Sequence, residues 1–337
     1  MKVLFHVDHS FAWAHGGVQN LVEHLLKFLP TYGVDAEPLR WWDASQHGDI
    51  LHVFYKPGAV IELAKQKGLK IVANIFLDNF SSMNRTELFV RRVYINAFKK
   101  IFRNNAVNLG WFYGEVSDAY VYPSEHEALL GKYLFNAKPE KSFTVLHGVD
   151  DQYFSDETND SRRSNYLVAI GTISQRKNNL QLAKIAKKAR VPIVFLGKPY
   201  GENSYFDEFR SLIDDEHVIY KGFVDEDSKR ILLKEARGFV TLSRVESGCI
   251  AVLEALASNC PVFLPNLPWA KSIYDGYAEF GELEDEKELV SQLRRFYEAP
   301  FTGKTKFRVS TWNVATEQYI KVYEKALAST SRVFAEA

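Results

Sequence analysis

Along the whole chain, short β-rich apolar runs alternate with segments of helical periodicity, the rhythm of βα units on parallel sheets. In the first half the predicted strands are Lys2–Val7, Ile50–Phe54, Lys70–Ile75, Ala119–Tyr122 and Ser142–Leu146. In the second they are Tyr166–Ile170, Ile193–Leu196, His217–Tyr220, Gly238–Leu242 and Val262–Leu264. Residues 150–165 lack apolar periodicity and read as an interdomain linker. After Gly16-Gly17, the residues Val18, Leu21, Val22, Leu25 and Leu26 share one helical face. Residues 309–327 again show helical spacing and close the chain.

One helix breaks its own pattern. From Cys249 to Ala257 every residue but Glu254 is apolar, so a carboxylate lies where a packed helix should not carry an unpaired charge. Glu254 therefore needs a partner. Glu246 stands eight positions earlier, and Gly248 between them suits a loop whose backbone approaches a ligand. The free N–H groups of a helix beginning near Cys249 favour an anion such as a phosphate. The bland alternative is a surface Glu254 and a loop carboxylate at Glu246.

A length of 337 residues suits two domains rather than one core, and 46% hydrophobic with 25% charged residues is globular composition. Lysine plus arginine equals aspartate plus glutamate, 42 each, so no global basic field exists to hold nucleic acid. The run Met1–Asp8 is broken by His6 and Asp8 and makes no secretory core, and no segment has the length of a membrane helix. A cytoplasmic location is expected. Cys249 and Cys260, eleven apart, lack zinc-finger partners and read as small core residues.

Ser243-Arg-Val-Glu-Ser-Gly followed by Val-Leu-Glu-Ala-Leu-Ala-Ser-Asn-Cys-Pro-Val resembles the paired-glutamate motif of the family-4-type retaining glycosyltransferases, the group 1 glycosyl transferases. The resemblance implies an α/β chain of the GT-B fold, two doubly wound Rossmann-like domains facing a central cleft. It implies an acceptor-side domain over 1–150, a nucleotide-sugar domain over 151–308, and a closing helix over 309–337 that crosses back onto the first. The reaction implied is retaining transfer of a sugar from a nucleotide-sugar donor to a hydroxyl of a glycan or lipid-linked acceptor. No cofactor and no metal are implied. In this reading Glu246 lies near the transferred sugar, with backbone N–H groups of Ser247, Gly248 and Cys249, while Glu254 holds the ribose.

Further matches extend the resemblance. Gly171-Thr-Ile-Ser-Gln-Arg-Lys-Asn resembles the family's diphosphate-clamping segment, in which Lys177 matches the lysine, Thr172 stands where an arginine is frequent, and Asn178 replaces a glycine. Arg176 is the candidate to substitute for that arginine, so Arg176 and Lys177 would stabilise the leaving diphosphate. Read without the resemblance, the pair is a solvated basic turn. Gly16 and Gly17 resemble the first loop, which touches the donor diphosphate. The family's histidine after the third strand is replaced by Leu77, leaving Asp78, and His147 replaces an asparagine in Leu146-His-Gly-Val-Asp150.

Three segments invite other chemistry. His6, Asp8, His9 and His15 hold metal-ligating types without ligand spacing, so a cleft-lining loop is the preferred reading. Asp225-Glu-Asp227 precedes a helix and reads as its acidic cap. The aromatic and basic residues of 87–103 fit either a peripheral membrane contact or, preferred here, an amphipathic helix with its apolar stripe on the sheet and its basic face in water. The rival functions are a nucleotide-sugar epimerase or hydrolase and a non-catalytic sugar-binding protein, the latter favoured by Thr172 and Leu77.

Overall fold

The structure, a computed structural model, describes residues 1–7, 16–54, 60–154, 164–201, 203–299 and 307–329. Asp8, His9 and His15, and most of the linker expected over 150–165, lie outside the described residues. The chain divides into two compact units, Met1–Gly148 with Ser310–Ala337, and Val149–Val309.

The first unit holds β1 (Lys2–Val7), β2 (Asp35–Pro38), β3 (Ile50–Phe54), β4 (Lys70–Asn74), β5 (Ala119–Tyr122) and β6 (Ser142–Thr144). All pair in parallel, in the order β2-β1-β3-β4-β5-β6. The second holds β7 (Leu167–Ile170), β8 (Ile193–Leu196), β9 (Val218–Gly222), β10 (Gly238–Val240), β11 (Val262–Pro265) and β12 (Glu279–Gly281). These too are parallel, in the order β12-β11-β10-β7-β8-β9. The two strands that the hydrophobic pattern did not predict, β2 and β12, are both edge strands. Asp-Ala-Glu-Pro and Glu-Phe-Gly carry too few apolar positions to register, and charge and proline are what a sheet edge tolerates.

In the first unit one core is built from Val3, Phe5, Leu21, Val22 and Leu25 with Trp312, Tyr319, Val322 and Tyr323 of the helix Trp312–Ala328. That helix starts where Thr311 accepts a hydrogen bond from the Val314 N–H, a cap whose loss costs about 1 kcal/mol. Gly148 lets it pack closely, since a Cβ there would lie 2.6 Å from the Trp312 backbone. Beneath it, His52 meets the Tyr323 hydroxyl at 2.8 Å and Asn74 Oδ1 at 3.1 Å, and Tyr319 donates to the same Asn74 oxygen at 2.9 Å. Burial drives the His52 pKa down to about 3, so the imidazole is neutral and serves as a linker of sheet to helix.

The second unit packs Leu182, Ile185 and Ala186 of the helix Asn179–Ala189 and Leu289, Leu293 and Phe296 of the helix Glu286–Glu298 against Leu167, Ile193 and Phe263 of the sheet. Cys249 and Cys260 are buried and form no disulfide. Asp225 accepts a hydrogen bond from the Ser228 N–H at 2.8 Å and caps the helix Glu226–Glu235.

Candidate active site

Strand order places the site. The chain runs outward from β7 through β8 to β9 on one side and from β10 through β11 to β12 on the other, so β7 and β10 are neighbours at the point where the order reverses. Loops leaving the carboxyl ends of such a pair diverge and open a crevice, the usual ligand site of an open α/β sheet. The loop after β7 carries Gly171, Thr172, Arg176 and Lys177; the loop after β10 carries Glu246, Ser247, Gly248 and Cys249. The candidate residues of the second unit thus converge, for a reason that is topological.

Gly171 and Gly197, at the ends of β7 and β8, have φ of +144° and +141°. A Cβ on Gly197 would lie 2.2 Å from the Gly171 carbonyl oxygen, so the two strand ends touch backbone to backbone. Arg176 and Lys177 occupy the turn before the helix Asn179–Ala189 rather than its first turn. Asn178 stops that turn in the left-handed conformation, φ +56°. Asparagine enters this region more readily than other residues with a Cβ, which explains how it stands in for the glycine that the sequence comparison led one to expect.

The two loops are tied together. Arg176 donates to the Val245 carbonyl at 2.9 Å, and the Arg244 N–H donates to the Arg176 carbonyl at 3.0 Å. Trp269 Nε1 donates to the Ser243 carbonyl at 3.1 Å and Tyr274 to the Gly248 carbonyl at 3.3 Å, holding the second loop from the helix Pro268–Tyr274. Lys177 Nζ lies 2.6 Å and Arg176 Nη1 3.2 Å from Glu246 Oε1. Burial opposes charge on both Lys177 and Glu246, but each outweighs that penalty for the other, aided at Glu246 by Arg176. The lysine pKa is therefore raised, the glutamate pKa lowered, and both are charged. The contact is ionic rather than an aligned hydrogen bond: Glu246 Oε1 and Ser247 Oγ are both buried without a hydrogen-bond donor or acceptor.

Beyond Gly248, at φ +135°, Cys249 takes φ +20° and ψ 86° at the start of the helix Ile250–Ala257. A residue with a Cβ held there is strained, and such strain persists where surrounding contacts impose it. Burial pushes its thiol up to about 11, so it is no nucleophile at neutral pH. The helix Ile250–Ala257 has no side-chain cap, which leaves its first N–H groups to meet an anion, whereas in Asn179–Ala189 the Leu180 N–H already donates to the Tyr205 hydroxyl at 2.9 Å.

Glu254 is buried in that same helix, and its partner is Lys229 of the helix Glu226–Glu235, 2.9 Å away. Lys229 also reaches Glu226 at 2.7 Å and lies over the Tyr153 ring, 5.3 Å from its centre. Burial pushes the Glu254 carboxyl up to about 7 despite Lys229, with Glu226 and Asp150 adding to the rise. Lys229 itself overcomes burial through Glu254 and Glu226 together, so its pKa is raised. The sequence asked for a partner for Glu254 but nothing local pointed to Lys229, 25 positions away.

In the first unit, β1 and β3 are neighbours at the equivalent reversal, and Gly16 and Gly17 open the helix Gly17–Phe28 that follows β1. Gly16 is extended, and a Cβ there meets nothing within 4 Å, so neither strain nor crowding demands glycine. Leu77 is a core residue beside Ile75, Ile95 and Tyr122, its N–H donating to the buried Glu127 carboxylate at 2.6 Å. Leucine at this position thus serves packing.

A chain of two all-parallel, doubly wound units, one of them with cations and a carboxylate gathered at its switch point, has the GT-B fold of glycosyltransferases. The family model described as "Glycosyl transferases group 1" matches residues 151–306, nearly the whole of the second unit. No curated protein matches it in sequence. Among solved structures it is similar to AviGT4, a glycosyltransferase involved in avilamycin A biosynthesis, at 16% identity over 98% of both chains with a TM-score of 0.64. Sucrose-phosphate synthase from Thermosynechococcus elongatus is similar at 13% identity over 98% of this chain and 99% of that one, TM-score 0.70. The Anabaena protein HepE, solved with UDP and glucose, is similar at 14% identity over 96% and 95%, TM-score 0.60. At these identities the similarity is one of fold.

Proposed function

We propose that this protein is a retaining glycosyltransferase that moves a sugar from a nucleotide-sugar donor to a hydroxyl of a glycan or lipid-linked acceptor, in the cytoplasm and without a metal on the diphosphate. The observation that carries this reading is the set of groups at the β7–β10 reversal: two cations gathered on one buried carboxylate, beside a buried serine hydroxyl that lacks a hydrogen bond. Buried polar atoms in that condition are costly, and a ligand bearing both phosphate and hydroxyl groups would satisfy them. A nucleotide sugar is such a ligand.

In this mechanism Arg176 and Lys177 take up the charge that grows on the diphosphate as the bond from its oxygen to the sugar's anomeric carbon breaks. Glu246 holds a sugar hydroxyl, and backbone N–H groups of Ser247 to Cys249 with the helix Ile250–Ala257 face the phosphates. The acceptor oxygen bonds to the anomeric carbon on the face the phosphate leaves, and the acceptor's proton passes to the departing phosphate oxygen. Glu254 accepts hydrogen bonds from the ribose.

The test is a thermal-shift panel of UDP-, GDP-, ADP-, dTDP- and CMP-sugars on wild type, Glu254→Ala and Lys177→Met. A donor at about a hundred times its Kd stabilises by about 2.7 kcal/mol. One nucleotide should shift the wild type and lose most of its effect in Glu254→Ala. Lys177→Met should lower kcat about a hundredfold or more, the scale of a lost electrostatic contact to a transition state. Stabilisation without sugar transfer to any acceptor would favour a non-catalytic sugar-binding protein, the reading that Leu77 supports. No shift with any nucleotide would overturn the proposal.

A further inference from the structure

The helix Arg85–Ile101 carries apolar side chains on two sides, one facing the core and one facing solvent. Leu88 and Phe98 are half-buried and Ile95 is buried against the first unit. The outward face is apolar: Phe89 and Val90 are 60% exposed, Val93 54%, Tyr94 49% and Ile101 70%, and Phe102 beyond the helix end 50%. At about 100° per residue, Phe89, Val93, Ala97, Val90, Ile101 and Tyr94 fall in sequence around an arc of about 140°. The expected apolar side against the core is present in Leu88, Ile95 and Phe98 and the arginines are exposed, but a second apolar face is turned to solvent, which the expectation did not include.

Cations border and interrupt this arc: on the same count Lys100 falls between Phe89 and Val93, Arg85 about 40° outside Phe89 and Arg91 about 60° beyond Tyr94. Residues 85–103 contain Arg85, Arg91, Arg92, Lys99, Lys100 and Arg103 against one carboxylate, Glu87, in a chain whose charges balance overall. Glu87 is engaged in the capping box with Asn84. Lys99 is paired with Glu115 at 3.2 Å, and Arg92 lies over the Tyr133 ring. Arg85, Arg91 and Lys100 have no ion-pair partner among the described residues. A water-facing helix has no use for six large apolar side chains, and a protein partner of mixed charge would not call for so one-sided a rim. An anionic lipid surface satisfies both, taking the aromatic and aliphatic groups at the headgroup boundary and the cations at the lipid phosphates. No helix among the described residues is long and apolar enough to cross a membrane, so the contact is with the interface.

We infer that the outward face of the helix Arg85–Ile101 is a docking surface for an anionic lipid membrane, seated through Phe89, Val93 and Ile101 and held by Arg85, Arg91 and Lys100. The inference stands apart from the transferase reading, because it is read by partition and not by turnover.

The experiment is co-sedimentation of the full chain with vesicles of phosphatidylcholine alone and with about one third phosphatidylglycerol, for wild type, Phe89→Ser/Val93→Ser and Arg85→Gln/Lys100→Gln. Both substituted pairs are on exposed positions, so unfolding temperatures should match the wild type. Wild type should pellet with the anionic vesicles and be released by salt. Loss of the two apolar groups should lower the partition coefficient about tenfold or more, and loss of the two cations about twentyfold, on anionic vesicles only. Equal partition of all three proteins would overturn the inference. So would concentration-dependent self-association, in the absence of vesicles, that Phe89→Ser/Val93→Ser abolishes, since the occupant would then be a second copy of the chain.

Discussion

Glu254 ionises in a way that stability measurements can read. Its carboxyl rises from a reference of 4.5 to about 7, chiefly through burial, although Lys229 is 2.9 Å away. Between these values the unfolded chain has released the proton and the folded chain has kept it, so unfolding is favoured as pH rises. Stability attributable to this group is thus highest below about pH 4.5, declines through the window, and levels off above about pH 7, the opposite sign to an ordinary ion-paired carboxylate. A difference of two to three units corresponds to about 3 kcal/mol. Glu254→Gln removes the titration while keeping an oxygen to accept from Lys229, which retains Glu226. Urea unfolding of wild type and Glu254→Gln from pH 5 to 8 isolates the effect, because the other carboxylates cancel in the difference. Wild type should lose about 2–3 kcal/mol relative to the variant across that range, and carboxyl carbon NMR should show one glutamate titrating near neutrality that is absent from the variant. A flat difference profile would refute the argument, and would mean that Lys229 holds Glu254 ionised throughout. Donor binding supplies a second readout: if the ribose is held by the ionised carboxylate, donor affinity rises as pH increases through 7.

Two further predictions concern the backbone of the site. Gly197→Ala places a Cβ 2.2 Å from the Gly171 oxygen at a φ of +141°, and should cost about 3 kcal/mol or more, whereas Gly201→Ala, at φ +74° with nothing within 4 Å, should cost about 1 kcal/mol. Unfolding temperatures compare the two directly, and equal effects would show that the strand ends are not in contact. Asn178→Gly should be neutral within about 0.5 kcal/mol and Asn178→Val should cost about 1–2 kcal/mol, measured by urea denaturation; a tolerated valine would mean that the turn is not left-handed.

Much of this was written locally. The runs that became β1, β3 and β4 are continuous and apolar because parallel strands are covered on both faces, and such runs are visible in any window of a few residues. Glu254 stood out for the same reason, a carboxylate in a helix with no polar side. The edge strands β2 and β12 were illegible because an edge needs little hydrophobicity, and Asn178 read as a departure until its left-handed φ showed what it replaces. The helix Arg85–Ile101 is apolar on two sides, and periodicity leaves open which of them meets the core and which the solvent.

By itself, then, the sequence determined where strands and helices lie, which loops are rich in glycine and charge, and that a buried carboxylate had to be answered. Tertiary structure alone decided that β7 and β10 are neighbours, which brings Arg176 and Lys177 to Glu246, and that the partner of Glu254 is Lys229. The division has a physical cause: periodicity and propensity act over one turn or one pleat, whereas charge pairing and sheet order depend on distances that the chain sets only when it has folded.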